Sequence, residues 1–154
     1  MRLAQLAFMV VTTSFLLLMS CNKNENKKSK SARSLVGTWE LRETSGAMNP
    51  TVSKFPAGNG NLLIFTENSY ELRKNGQIVK NGSYQVVADS TVEKSVCLLF
   101  PKGEYAYRIA YDDNNNEPKQ FFHVSGNKLG LVAGCYAYDA GHKEEYEKIN
   151  DGDH

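Results

Sequence analysis

Apolar and polar side chains alternate in residues 35–41, where the patterned part of the chain begins. Trp39, the only tryptophan, and Leu41 fall on one face of an extended chain, and Gly37 is in line with them. Polar residues occupy the other face. Because successive side chains of a strand point to opposite sides, this alternation predicts a β-strand with one buried face. We expect the strand to open a small barrel and Trp39 to close its base.

Short strand-like segments follow one another through residues 62–149, with turn residues between them, and one of the predicted strands spans residues 91–100. The clearest turn is Asn75-Gly76, since Asn-Gly is the strongest short hairpin signal. Consecutive tight hairpins favour an up-and-down meander over a Greek key, which needs long crossovers. The sequence therefore predicts an all-β, antiparallel up-and-down barrel of about eight strands over residues 35–150, followed by a loose tail at 151–154.

Residues 1–20 have the parts of an export signal: a basic start and then a mostly apolar stretch that is too short and interrupted for a membrane span. The segment ends in Leu18-Met19-Ser20-Cys21, which resembles the lipobox of bacterial lipoproteins. This resemblance implies cleavage before Cys21, a diacylglyceryl group on the Cys21 thiol and acylation, as by palmitate, of the new amino terminus. Several acyl chains would anchor the protein stably to a membrane. The alternatives are an ordinary signal peptide with a chance cysteine and a retained membrane anchor.

Residues 22–34 contain five Lys or Arg, one Glu and no large apolar residue. Such a segment has little to bury, so we expect it to follow Cys21 as a flexible basic tether. It is either a soluble spacer or a contact with anionic lipid headgroups. Signals resembling those that export some lipoproteins to the cell surface carry acidic residues just after the cysteine. This segment has no such acidic cluster. We therefore expect an outer-membrane lipoprotein that faces the periplasm.

The motifs of the folded part resemble those of lipocalins and related barrels. Gly37-Thr38-Trp39 is similar to their Gly-x-Trp signature. Residues 124–131 and 145–149 resemble the last hairpin and the closing strand of lipocalin-like domains in bacterial lipoproteins. The resemblance implies an eight-stranded barrel with one open mouth and no particular ligand. The closing strand has no Arg to stack on Trp39 and we see no C-terminal helix, which favours the smaller lipocalin-like class.

Charge and motif content narrow the function classes. The chain from Cys21 onward has 17 Lys and Arg against 17 Asp and Glu, because Arg2 is the only charge before it. This balance gives no support for nucleic-acid binding. We find no nucleophile elbow, phosphate loop or zinc spacing, and His123 reads as a hydrogen-bonded strand histidine. We expect no enzyme activity, no metal site and no cofactor.

Two cysteines remain once Cys21 carries lipid. Cys97 and Cys135 would pair readily in an oxidising periplasm, and the alternative is two separate buried thiols.

The tyrosines are the main indication of function. The predicted inward positions that would bind a ligand are Trp39 at the base and Phe65, Tyr70, Tyr84, Tyr105 and Tyr107 on the walls, and Tyr111 shares the predicted inward face. They indicate a monomeric barrel that binds a small apolar or amphipathic molecule without chemistry. Two alternatives remain. The rings could fill the barrel, so that the protein acts as an interaction subunit or inhibitor in an envelope complex, or they could form an outward belt.

Overall fold

The computed structural model describes residues 22–46, 51–91, 103–112, 119–133 and 141–149. Several predictions lie outside these residues: the signal peptide 1–20, the lipidation site Cys21, most of the strand at 91–100, the cysteines Cys97 and Cys135, and the tail at 151–154.

The described part of the chain contains one helix and nine strands. These are α1 (Asn22–Leu35), β1 (Gly37–Gly46), β2 (Ser53–Lys54), β3 (Leu62–Phe65), β4 (Ser69–Lys74), β5 (Gln77–Ala88), β6 (Tyr107–Tyr111), β7 (Gln120–Ser125), β8 (Lys128–Ala133) and β9 (His142–Ile149).

Eight of the strands form a closed antiparallel barrel in the order β1-β3-β4-β5-β6-β7-β8-β9, and β9 pairs back with β1. The two-residue strand β2 continues the edge of β1 beyond β3. Strand β5 pairs directly with β6 in the barrel. The predicted all-β, up-and-down barrel of about eight strands is confirmed.

The two ends of the barrel differ. We call the end with the β3–β4 and β7–β8 turns the base, and the end with the β4–β5 turn at Asn75-Gly76 the mouth. Trp39 is completely buried near the base, where Phe65 and Leu129 pack with it in the same apolar core. The base is therefore the solid part of the structure.

Residues 22–34, predicted as a flexible tether, lie in helix α1, whose end packs on the base. Leu35 at its end is completely buried, and Ala32 packs against the core. The Trp39 indole Nε1 donates a hydrogen bond of 2.6 Å to the Leu35 carbonyl. The tether prediction considered only the lack of large apolar residues. The five Lys and Arg favour a helix while the three Asn and three Ser do not, and docking of the helix end on the barrel stabilises the remaining turns.

Among the described residues, no helix is long and apolar enough to cross a membrane.

Strand β1 begins with a glycine whose backbone conformation strains other residues. Gly37 has φ of +139°, and a Cβ added there would overlap the Lys148 side chain. The Lys148 Nζ donates to the Val36 carbonyl at 2.8 Å and lies 5.2 Å from the centroid of the Trp39 ring. The closing strand lacks an Arg, as noted from the sequence, but a lysine contacts the tryptophan from this strand.

We expect Gly37→Ala to destabilise the protein by about 1–3 kcal/mol, because alanine strains this backbone conformation and displaces Lys148. Urea unfolding followed by tryptophan fluorescence measures the loss. Gly46→Ala is the matched control: the new Cβ would lie 3.7 Å from the nearest atom, the Gly141 carbonyl oxygen, with no unusual φ. Equal stability of the two variants would show that position 37 tolerates a side chain.

Candidate ligand-binding cavity

An open cavity of about 300 Å³ lies inside the barrel, between the packed base and the mouth. Four leucines supply much of its apolar wall: Leu41, Leu63, Leu72 and Leu131. This volume is at the lower end of the range for small-molecule sites, which are mostly apolar with a few placed polar groups.

Strand register places these side chains on the inner face. Leu63 pairs with both Trp39 and Leu72, and Leu41 pairs with Tyr146. Directly paired residues of antiparallel strands point to the same side of a sheet. The cavity wall therefore continues upward from the Trp39 layer.

Two tyrosines of the wall are held by side chains of neighbouring positions. The Tyr111 hydroxyl donates to Gln120 Oε1 at 2.6 Å, and the Tyr146 hydroxyl donates to Glu144 Oε2 at 2.9 Å. All four residues line the cavity. Burial, followed by the negative charge of Glu144, raises the pKa of Tyr146, so its hydroxyl stays protonated at neutral pH. The rings present apolar faces with their polar tips already hydrogen-bonded.

A third tyrosine, Tyr70, is fixed by Asp112. Its hydroxyl donates to Asp112 Oδ2 at 2.9 Å, while Oδ1 accepts the backbone N–H of Ser83 at 2.9 Å. A Cβ on Gly82 would overlap the Asp112 carboxylate, so this contact needs a glycine. Burial and the bond to Asp112 raise the pKa of Tyr70 although the nearby Lys80 opposes the shift.

Charged side chains stand on two opposite walls of the cavity. Arg73, Lys74 and Lys80 come from β4 and β5, and Glu144 comes from β9. In the closed order of eight strands, β5 and β9 are four strands apart in both directions, so Lys80 and Glu144 face each other. The Lys80 Nζ lies 5.6 Å from the centroid of the Tyr111 ring. The apolar wall therefore ends in a polar rim with a cationic side and an acidic side.

Of the six predicted ligand residues, Tyr70 alone lines this cavity. Trp39, Phe65 and Tyr84 belong to the packed base below it. The Phe65 and Tyr84 rings meet edge to face at 4.9 Å between centroids, and the Tyr84 hydroxyl donates to the Thr66 carbonyl at 2.8 Å. Trp39 closes the base as predicted, but these three rings fill the base and do not form the cavity wall.

Tyr105 and Tyr107 do not line this cavity. Tyr105 packs with Phe121 and Val132, whose side chains alternate with inward ones and so lie on the outer face of the barrel. Burial in this cluster raises the pKa of Tyr105 to about 12. Tyr107 packs against the core beside Phe122, below the cavity. Strand β6 begins at Tyr107 and residues 103–105 form a turn, so the strand alternation does not extend to Tyr105.

Several cavity residues lie outside the set predicted to bind a ligand. Tyr111 shares the alternating stripe of β6, and Tyr146 has the same alternation in β9, so both carried a signal for an inward position. Lys80 carried none, because a lysine in a strand usually faces solvent. Their height along the barrel axis distinguishes these residues from the predicted set.

His123 behaves as the sequence predicted. Its Nδ1 lies 3.0 Å from the Glu104 carbonyl oxygen on the outer face, so the ring is hydrogen-bonded. Within the described ranges, no group of three His, Cys, Asp or Glu side chains is close enough to hold a metal ion.

Comparison of the chain with protein-family models, curated proteins and solved structures finds no match. The resemblance to lipocalin-like domains therefore rests on the sequence motifs alone and stays a prediction.

Proposed function

We propose that this protein is a lipid-anchored envelope lipoprotein whose barrel binds a small apolar or amphipathic molecule without acting on it chemically. The observation that carries the proposal is the cavity of about 300 Å³ inside the mouth. A barrel filled by its own side chains was the rival expectation, and the open cavity favours the binding hypothesis over it.

The construction of the cavity supports binding. The base is closed by Trp39 and by α1, so a ligand would enter through the mouth. The leucines offer apolar area, and burial of such area drives association. The tyrosine hydroxyls are held by Asp112, Gln120 and Glu144 before any ligand arrives, which lowers the entropic cost of ordering the site.

The proposed location follows from the leader. Lipid on Cys21 would anchor a monomer to the outer membrane, facing the periplasm. Helix α1 begins at the next residue and ends at the base, so the anchor would connect to the barrel through the base and leave the mouth accessible.

Filling the cavity tests the proposal. Ala133 lines the cavity at the end of β8, and Ala133→Phe should place a ring in it. We expect the neutral fluorophore N-phenyl-1-naphthylamine to bind the wild type saturably and the variant about tenfold or more weakly, because the apolar space is occupied. Fluorescence titration of the chain from Asn22 to His154, which contains every described element, gives both affinities.

The matched control is Ala88→Phe, an exposed position at the end of β5 nearest the base. Its affinity should equal that of the wild type. Equal binding by the Ala133 and Ala88 variants would place the fluorophore elsewhere and count against the cavity. Native mass spectrometry of protein purified gently from its own envelope should then show a stoichiometric small-molecule adduct.

One observation supports the rival function. Ile78 and Val79 at the start of β5 are 54% and 52% exposed. Neighbouring exposed aliphatic side chains can mark a contact with another protein. If the native protein carries no adduct, Ile78→Ser combined with Val79→Ser should abolish recovery of a specific envelope partner in a pull-down.

A further inference from the structure

We propose that helix α1 lies flat on an anionic phospholipid surface, so that the base of the barrel faces the membrane and the mouth faces away from it. This inference rests on the proposed lipid anchor at Cys21 and adds the surface that the anchored protein contacts. The sequence left residues 22–34 as either a spacer or a contact with lipid headgroups, and the helix gives these residues a fixed geometry.

The face of α1 that points away from the barrel carries cations. Leu35 is completely buried and Ala32 packs against the core, so their side of the helix faces the barrel. Lys30 and Arg33 lie about 140–160° around the helix axis from Leu35, which is nearly the opposite side. Both are exposed, and so is Asn26, which lies between them on this face. Among its described side chains, the outward face therefore presents two cations and no acid.

The acidic groups near α1 do not cancel its charge. The helix has five Lys or Arg and one Glu. Glu67 shares a groove beside the helix with Lys28. Glu104 shares a second groove with Lys27. The two strands that α1 contacts, β5 and β7, contain no Asp or Glu. Even when both groove acids are counted against the helix, a net charge of +2 remains, and the two outward cations line neither groove.

The spacing of the cations along α1 favours a helix that lies flat. The helix has 14 residues and is about 21 Å long, with cations from Lys23 to Arg33. Salt limits the attraction of a membrane to about 8–10 Å from its surface. An upright helix with its first residue at the anchor would hold Lys30 and Arg33 about 12–17 Å away. A flat helix brings both side chains to the headgroups, where each Lys or Arg adds attraction.

The position of the anchor makes this attraction effective. Helix α1 begins at the residue after Cys21, so acyl chains on that cysteine would hold the helix beside the headgroups. Such a tether makes the contact intramolecular and raises its effective concentration. Lipid groups and neighbouring basic residues anchor a protein together more stably than either does alone. Because the end of α1 is fixed to the base, a flat helix turns the base toward the membrane.

Energy transfer from Trp39, the only tryptophan, to dansyl-labelled headgroups tests the inference. The chain from Asn22 to His154 is titrated with vesicles of phosphatidylcholine, and with vesicles of phosphatidylcholine and phosphatidylglycerol in equal amounts. We expect about tenfold higher apparent affinity for the anionic vesicles, and loss of this preference at high salt. The chain has 17 cations and 17 acids, so the preference would come from the distribution of its charge. Transfer at saturation should be strong, because Trp39 lies near the base.

Lys30→Glu reverses one charge on the outward face and keeps a residue of good helix propensity. We expect its affinity for anionic vesicles to fall about tenfold. Lys54→Glu is the matched control, because Lys54 is exposed and pairs with Glu43 toward the mouth end of β1. It changes the net charge equally and should alter the affinity by less than about twofold.

The outcomes separate this inference from the proposed function. Equal binding to both kinds of vesicle overturns the inference, and so does an equal loss in the two variants. Weak energy transfer at saturation overturns the orientation. If circular dichroism shows that Lys30→Glu loses its helix, the wild-type preference and its salt dependence still decide. These measurements involve neither the cavity nor the acyl chains. Failure of N-phenyl-1-naphthylamine to bind, or an envelope-purified protein without lipid, would contradict the proposed function separately.

Discussion

Replacing Trp39 by alanine is expected to destabilise the folded protein by about 3–5 kcal/mol, a large part of the stability of a small domain. Trp39 is 0% exposed and touches the elements that close the base. Its removal leaves a cavity, breaks the hydrogen bond to the Leu35 carbonyl and removes the ring under Lys148. Urea unfolding followed by circular dichroism gives the change, since the variant lacks the fluorescent ring.

Trp39→Phe separates packing from hydrogen bonding at the same position. Phenylalanine restores much of the apolar contact but cannot donate to Leu35, so we expect a smaller loss that includes the cost of a buried carbonyl without its partner, about 1–3 kcal/mol. If Trp39→Ala proved as stable as wild type, Trp39 would not hold the base together.

Replacing Arg42 by leucine is expected to lower the free energy of unfolding by about 3–5 kcal/mol, because it leaves the buried carboxylate of Glu40 without its charged partner. Glu40 is only 3% exposed although it points away from the barrel interior. Its carboxylate accepts the Arg42 guanidinium and the backbone N–H groups of Gly58 and Gly60. Arg42 also bonds Glu147 at 3.0 Å. Without Arg42, two backbone donors must satisfy a buried charge.

The double variant Glu40→Gln with Arg42→Leu is the control for this prediction. Removing both charges should recover part of the stability, because no uncompensated buried charge remains. Urea unfolding at neutral pH of the wild type, both single variants and the double variant completes the cycle. Additive losses would mean that the two side chains act independently.

The same cluster should make stability depend on acid. Burial alone raises the pKa of Glu40, but the Arg42 side chain and the N–H groups of Gly58 and Gly60 outweigh it, so the pKa lies below its usual value of 4.5. A carboxyl with a lowered folded pKa stabilises the fold above its unfolded pKa and loses that contribution as pH falls through the folded pKa. The difference in the free energy of unfolding between the wild type and Arg42→Leu should therefore become smaller below about pH 4.5. A stability difference that does not change with pH would exclude the charge of Glu40 as its cause.

The sequence by itself determined the local structure of the barrel. Alternation at Trp39 and Leu41, and the Asn75-Gly76 turn, predicted antiparallel strands joined by tight hairpins, and the structure confirms them. A period of two residues is a property of the strand alone, so it can be read without knowing the partner strand.

The tertiary structure alone decided where the candidate site lies. Alternation in the sequence predicts which side chains face inward. The height of each side chain along the barrel axis depends on the register of all eight strand pairs. This is why Phe65 and Tyr84 fill the base while Tyr111 and Lys80 reach the cavity. Contacts of α1 with β5 and β7 likewise placed the helix on the base, and the hydrogen bond from Gly58 placed a loop over Glu40. Such contacts join residues far apart in the chain, and a local pattern contains no record of them.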